Sequence, residues 1–349
     1  VRPAEGRFEH QDDVGQGTRD GLTVAVIDGL AAIRSIEAGE LVLWAQAPVI
    51  DIEVDADEGR ALRIEVRNCM PNALLETGSE TLTPVDKPRA TWCVYELDLS
   101  AGAHQLRVAP PDWDVEEPFT FADMGDIQKA LPEVDEVFER ISELPDIRFV
   151  MSTGDVVEQG EPEEYELFQE KLATLDIPFY STIGNHELTT EVRRWNELFG
   201  RYSIHFRFKG VDYSYVDSGN ATFDPLQQSE LDAWLEESKD RVHIFGTHYP
   251  LFDPVGIRYA GFRSRNEASK LLVKLAEAKV DLTLYGHVHS FYEFENAGIP
   301  AYISGGGGAY PELFDGIDRH FLVIDVDPVE GRVTSVEVER VDEPYETSL

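Results

Sequence analysis

The chain has 349 residues, with 30 Lys and Arg against 67 Asp and Glu, a formal charge of -37. The length suits about two domains, and a hydrophobic fraction of 42 % supplies packed cores and excludes global disorder. The acid excess excludes a sequence-independent grip on nucleic-acid polymers or anionic lipid, and no stretch approaches the ~20 apolar residues of a membrane span.

In chain order, residues 1–20 are polar and aperiodic and read as a loose arm. Residues 21–112 hold short β-rich runs at 41–44, 49–54, 61–66, 90–97 and 104–108, separated by Gly, Pro and Asp turns. That spacing resembles an immunoglobulin- or fibronectin-like β-sandwich. Its two cysteines, Cys69 and Cys93, are too few for a four-thiolate zinc site; they either pair or, as the commoner case, stay unlinked and buried.

After the joint at Pro110, Pro111 and Pro118 the pattern changes to strand, loop, helix, repeated. Strands are expected at 119–122, 147–151, 178–182, 242–246 and 282–285, with helices at 127–144, 163–175, 190–199, 227–239 and 266–279. Residues 118–349 therefore read as a layered α/β domain. Ligands in such folds gather at the carboxyl ends of strands.

Five strand ends there carry polar groups: Asp123-Met124-Gly125-Asp126, Ser152-Thr153-Gly154-Asp155, Gly184-Asn185-His186-Glu187, Thr247-His248-Tyr249-Pro250 and Gly286-His287-Val288-His289. Four of the nine histidines of the chain fall in these segments. Singly each has a bland explanation, a helix-capping aspartate or a loop histidine bonded to backbone. Jointly they point to a metal site.

In these motifs the chain resembles the calcineurin-like metallophosphoesterase superfamily, and within it the purple acid phosphatase branch, over about 230 residues from Phe119 onward. Asp-x-Gly at 123–125 suits that branch, where the broader superfamily has Asp-x-His. The resemblance implies an αββα domain behind the β-sandwich and two divalent cations, Mn²⁺, Zn²⁺ or Fe²⁺. Asp123, Asp155 and His289 would bind the first ion, and Asp155, Asn185, His248 and His287 the second. It implies a phosphohydrolase in which a metal-activated hydroxide attacks a small phosphomonoester in line, with a phosphodiester on the same core as the alternative. His186 would donate to a phosphoryl or leaving-group oxygen. Glu187 would either orient His186 or be a helix-start acid without function.

One departure stands out. The purple enzymes carry a tyrosine three residues after the bridging aspartate; here that position is Glu158, and Gly125 removes the histidine alternative. Glu158 is either a ligand of the first ion or a solvated acid, and a colourless enzyme is expected. Residues 255–266 contain no acid but include Arg258, Arg263 and Arg265, which either clamp substrate or pair with surface acids. The glycines at 305–308 lack the lysine and strand-to-helix setting of a phosphate loop and read as a turn packed near the site. A reading from another class is a binding module whose metal site has decayed. Relatives with a leading β-sandwich are commonly exported, and an exported location is the expectation here, with no signal visible in residues 1–20.

Overall fold

A computed structural model describes residues 7–37, 39–254, 256, 260–312 and 318–342. The N-terminal unit is a sandwich of two sheets. Strand Ile50–Ala56 shows why: Ile50, Ile52, Val54 and Ala56 face inward while Asp51, Glu53 and Asp55 turn outward. Its sheet also contains Gln16–Arg19, Leu22–Val26, Gly102–Ala109, Leu74–Glu76 and Thr81–Leu82. The facing sheet runs Ala31–Glu37, Glu40–Ala45, Arg60–Arg67, Trp92–Leu99, Asp86–Arg89. Ile52 and Val54 of the first share one apolar core with Leu43, Ile64 and Tyr95 of the second. Cys69 and Cys93 are buried there as free thiols.

Residues 7–20 are not the loose arm expected. Gln16–Arg19 pairs antiparallel with Leu22–Val26, Phe8 is buried, Asn196 donates to the Gln11 carbonyl at 2.7 Å, and Arg7 meets Asp217 at 2.6 Å. Single anchors of this kind leave no periodicity in a sequence.

The sandwich is joined to the second unit by polar contacts. Asn68 donates to the Phe179 carbonyl and accepts the Phe179 N–H, at 2.8 and 2.9 Å. Asp112, just past the sandwich, receives Arg148 at 2.7 Å and Lys209 at 3.0 Å.

Residues 119–340 form two further sheets packed face to face. In one the order is Phe179–Ser181, Ile147–Ser152, Phe119–Met124, His320–Asp327, Arg332–Arg340, the first three strands parallel. In the other it is Ile204–Phe208, Val211–Val216, His243–Thr247, Leu282–Tyr285, Ile299–Ser304, Phe291–Asn296, the middle four parallel. Phe121 and Phe149 of the first meet Tyr213 and Phe206 of the second at ring separations of 5.3 and 6.1 Å. Helix Asp135–Glu143 lays Val137, Phe138 and Ile141 on the outer face of the first sheet. Helices Pro225–Ser238 and Arg265–Glu277 cover the second through Leu231, Leu235, Leu271 and Leu275. The α/β class and the helix–sheet–sheet–helix layering are as expected from the sequence.

The helix expected over 127–144 is broken into a 3-10 turn, Gln128–Glu133, which contains Pro132, and the α-helix Asp135–Glu143. Asp126 and Gln128 have φ of +64° and +48°, so the chain cannot enter a right-handed helix before them. The hairpins built on Ile204–Phe208, Phe291–Asn296 and His320–Asp327 were not expected.

Candidate metal centre

The parallel strands of both sheets end at the same side of the molecule, and the five polar loops meet there. Asp123 occupies the last turn-inward position of Phe119–Met124 and is fully buried. Tyr215, on the facing sheet, donates its hydroxyl to Asp123 Oδ1 at 2.7 Å, while Asp123 Oδ2 has no hydrogen-bond partner. Burial pushes the Asp123 carboxyl up to about 8 against the pull of Tyr215.

Asp155 is also fully buried, in the left-handed region at φ +57°. Its Oδ1 accepts the His186 N–H at 2.8 Å, its Oδ2 accepts Gln128 Nε2 at 2.9 Å, and His248 Nε2 lies 3.2 Å from Oδ2. Burial acts to raise its carboxyl, but His248, with His186, outweighs burial and holds it well below the usual range.

The histidines are oriented from behind. His248 Nδ1 donates to the Thr153 carbonyl at 3.1 Å, which turns Nε2 inward to within 3.1 Å of Asn185 Oδ1 and 3.2 Å of His287 Nδ1. The His287 ring lies on Tyr249 at 3.8 Å between centroids. His289 Nδ1 donates to the Tyr310 carbonyl at 2.8 Å, so its Nε2 faces Gln128 at 3.2 Å and Asp126 Oδ1 at 3.5 Å. Such carbonyl contacts fix the tautomer a metal-binding imidazole needs.

Asp155, His248 and His287 bring ligand atoms within 4.8 Å of one another, with Asn185 beside them. His289 is linked to Asp155 through Gln128, whose Nε2 lies 2.9 Å from Asp155 Oδ2 and 3.2 Å from His289 Nε2, and Asp123 lies near the end of Phe119–Met124, the strand that pairs with Ile147–Ser152. These donors fit divalent cations. Asp123 Oδ2 and Asp126 Oδ1 are buried carboxyl oxygens without hydrogen bonds, an arrangement a cation satisfies.

Two expected roles change. Glu187, read as an orienter of His186 or an idle acid, is buried and accepts four backbone N–H groups: Gly184 and Asp155 on Oε2 at 2.7 and 3.0 Å, Val156 and Val157 on Oε1 at 2.8 and 3.2 Å. It clamps loops, and the orienting partner of His186 is the Glu158 carbonyl, 2.6 Å from Nδ1. Glu158 itself sits behind that ring. His186 presents Nδ1 to the Glu158 carboxylate at 3.7 Å and Nε2 to Asp155 at 3.8 Å, and Glu158 also meets Lys129 at 3.5 Å. The imidazole stands between Glu158 and the other donors, so the structure does not group Glu158 with them.

Arg263 and Arg265 are exposed and line a cavity of about 750 Å³ together with Tyr249, Phe262 and His287. Neither is ion-paired among the described residues, whereas Arg258 lies outside them. A second cavity, of about 680 Å³, opens over Lys129, Gly306, Ala309 and Tyr310 on the His289 side. The glycine run forms its wall: Gly307 N–H donates to the Gly125 carbonyl at 2.8 Å and Gly305 N–H to Ser290 at 3.2 Å. Asp126, Gln128 and Tyr215 received no role from the sequence. Asp126 adjoins a motif, and Tyr215 lies on Val211–Val216, whose alternation of apolar and polar residues is a strand signal.

Comparison with known proteins agrees with this geometry. Residues 119–291 match the calcineurin-like phosphoesterase family. A probable glycerophosphodiester phosphodiesterase of Arcobacter nitrofigilis is 29 % identical over 47 % of this chain and 64 % of its own length. A probable cyclic nucleotide phosphodiesterase of Xenorhabdus bovienii is 27 % identical over 44 % of this chain and 66 % of its own. The chain thus spans a little under two thirds of these relatives. Purple acid phosphatase 5 of Arabidopsis thaliana is 24 % identical over 58 % of this chain and 51 % of its own length. Among solved structures, PhoD shares the fold at a TM-score of 0.50 and 10 % identity, over 84 % of this chain and 87 % of that one.

Proposed function

We propose that the chain, which carries a calcineurin-like phosphoesterase domain, hydrolyses phosphodiesters at two divalent cations that share Asp155. The observation that carries this reading is the grouping of Asp155, His248 and His287 beside Asn185, with Gln128 bonded to both Asp155 and His289 and Asp123 near the end of the neighbouring strand. Cations bound there would supply Lewis acidity, polarising phosphoryl oxygens and acidifying water.

The chain's own residues do the rest. His186 acts as the imidazolium: its Nδ1–H is held on the Glu158 carbonyl, and Nε2–H, 3.8 Å from Asp155, gives its proton to the leaving-group oxygen and is left neutral. Arg263 and Arg265 offer fork-shaped donors to a phosphoryl group or its substituent from the cavity beside His287. The large negative charge of the chain does not oppose this, because surface charge is screened beyond about 8 Å at physiological salt.

A diester has two organic arms; one cavity has His287 in its wall, and the wall of another includes Tyr310, whose carbonyl holds His289. The names of the Arcobacter and Xenorhabdus relatives point the same way. The second reading, a phosphomonoesterase, is favoured by the Asp-x-Gly motif and the Arabidopsis match. Assays on bis-p-nitrophenyl phosphate and p-nitrophenyl phosphate, each with Mn²⁺, Zn²⁺ or Fe²⁺, separate them. The diester should show the higher kcat/KM. A higher value for the monoester overturns the diester reading, and turnover of neither leaves the binding module.

A further inference from the structure

We infer that Asp126 is a ligand of the first metal ion, filling the place that Gly125 leaves and Glu158 does not reach. This rests on the two-cation reading above and names a donor that the motifs do not.

Gly125 carries no side chain toward the site. A Cβ built there would lie 2.4 Å from Thr153 Oγ1, so a side chain at the position where the broader superfamily carries histidine would have to displace that hydroxyl. The next residue supplies a donor instead. Asp126 is fully buried, and only one of its oxygens is engaged: Oδ2 accepts the His287 N–H at 2.9 Å, while Oδ1 has no hydrogen bond. Oδ1 faces the inward nitrogen of His289 at 3.5 Å. Adjacent donors around one cation at ~2.1 Å stand about 3 to 3.5 Å apart, so the pair is spaced to share an ion.

The backbone bends to achieve this. Asp126 and Gln128 both lie at positive φ, +64° and +48°, which for non-glycine residues costs on the order of 1 kcal/mol each and persists where the surroundings demand it. The bend delays the helix, points Gln128 at Asp155 and His289, and points Asp126 at His289. A structural role alone, bridging to His287, would need one oxygen and no charge. An amide would serve it as well, without the cost of a buried anion.

Asp126→Asn makes that distinction, since it keeps an acceptor for the His287 N–H and removes the charge. Calorimetric titration of Mn²⁺ into chelator-stripped protein should give two sites in the wild type. In Asp126→Asn one site should weaken by about 100-fold or more, given that even outer partners of a metal account for about 10- to 100-fold, while the melting temperature of the metal-free protein stays unchanged or rises. Glu158→Gln should keep both sites. Two wild-type affinities in Asp126→Asn, or loss of a site in Glu158→Gln, overturns the assignment. No Mn²⁺ uptake by the wild type overturns the two-cation reading itself. An anomalous-scattering map of Mn²⁺-loaded wild type tests the point without a variant: an ion within about 2.4 Å of Asp126 is expected, and two ions with neither near Asp126 contradict it.

Discussion

Glu187 holds Asp155 by its backbone: Oε2 accepts the Asp155 N–H at 3.0 Å together with the Gly184 N–H at 2.7 Å. One carboxylate thereby joins the loops that follow two neighbouring parallel strands, Ile147–Ser152 and Phe179–Ser181. The clamp fixes the backbone of Asp155 and of Val156 after it.

Glu187→Gln is therefore expected to act through the fold. Its amide can accept for only one of the two N–H pairs and turns its own donors on the other. Unmet buried donors cost about 1 to 3 kcal/mol each, so thermal unfolding should show a loss of roughly 2 to 4 kcal/mol. His186→Ala, by contrast, should leave stability nearly intact and lower kcat. Equal stability of Glu187→Gln and wild type would return Glu187 to the role of an idle acid.

The space at Gly125 gives a coupled prediction. Gly125→Ala drives a methyl into Thr153 Oγ1, which itself has no hydrogen-bond partner, and overpacking of this kind costs about 1 to 3 kcal/mol. Thr153→Ala should be nearly neutral alone and should recover much of the loss in the double variant. Additive effects in a double-mutant cycle would show that the contact is not what requires glycine.

A pH dependence arises away from the metal centre. His205 Nδ1 and His243 Nε2 share the Ser214 hydroxyl at 3.0 and 2.9 Å, and His205 stacks on Trp234 at 5.0 Å. Burial holds His205 down to about 4 and His243 to about 3. The unfolded chain, with imidazoles near 6.5, takes up protons that the folded chain refuses, so stability is full above about pH 6.5 and falls as pH drops toward 4. His205→Phe keeps the stack and removes one titration. The fall in stability between pH 7 and 5 should shrink in this variant by on the order of 2 kcal/mol. An unchanged fall would assign the acid sensitivity to other groups.

Arg263 and Arg265 should matter for substrate and not for folding, since both are exposed beside the cavity that His287 shares. Replacing either with Ala should raise KM or lower kcat on the diester by about 3- to 30-fold, the scale of one charge-assisted hydrogen bond of ~1 to 2 kcal/mol, with the melting temperature unmoved. Wild-type kinetics in both variants would leave them as surface charges.

Much of the fold and most of the centre were legible in the sequence, for a physical reason. The parallel strands are buried on both faces and read as apolar runs, and polar residues just past such runs stand out. Strand Leu282–Tyr285 falls on the expected residues, and His287 and His289 follow it directly. Ile204–Phe208 and Val211–Val216 alternate apolar with polar residues; that two-residue period was legible but not read, and Tyr215 was missed with it. The part played by Glu187 was illegible because it is made to backbone N–H groups, which every residue carries. That of Asp126 was hidden by a left-handed turn, in which a residue beside a motif faces the site instead of starting a helix.

Elemental analysis of protein loaded with Mn²⁺ or Zn²⁺ and then dialysed tests the central claim most directly. The wild type should retain about two ions per chain and Asp155→Ala fewer than one, because the shared carboxylate serves both sites. A wild type without metal, or an Asp155→Ala variant that retains as much as wild type, would contradict a centre built on Asp155.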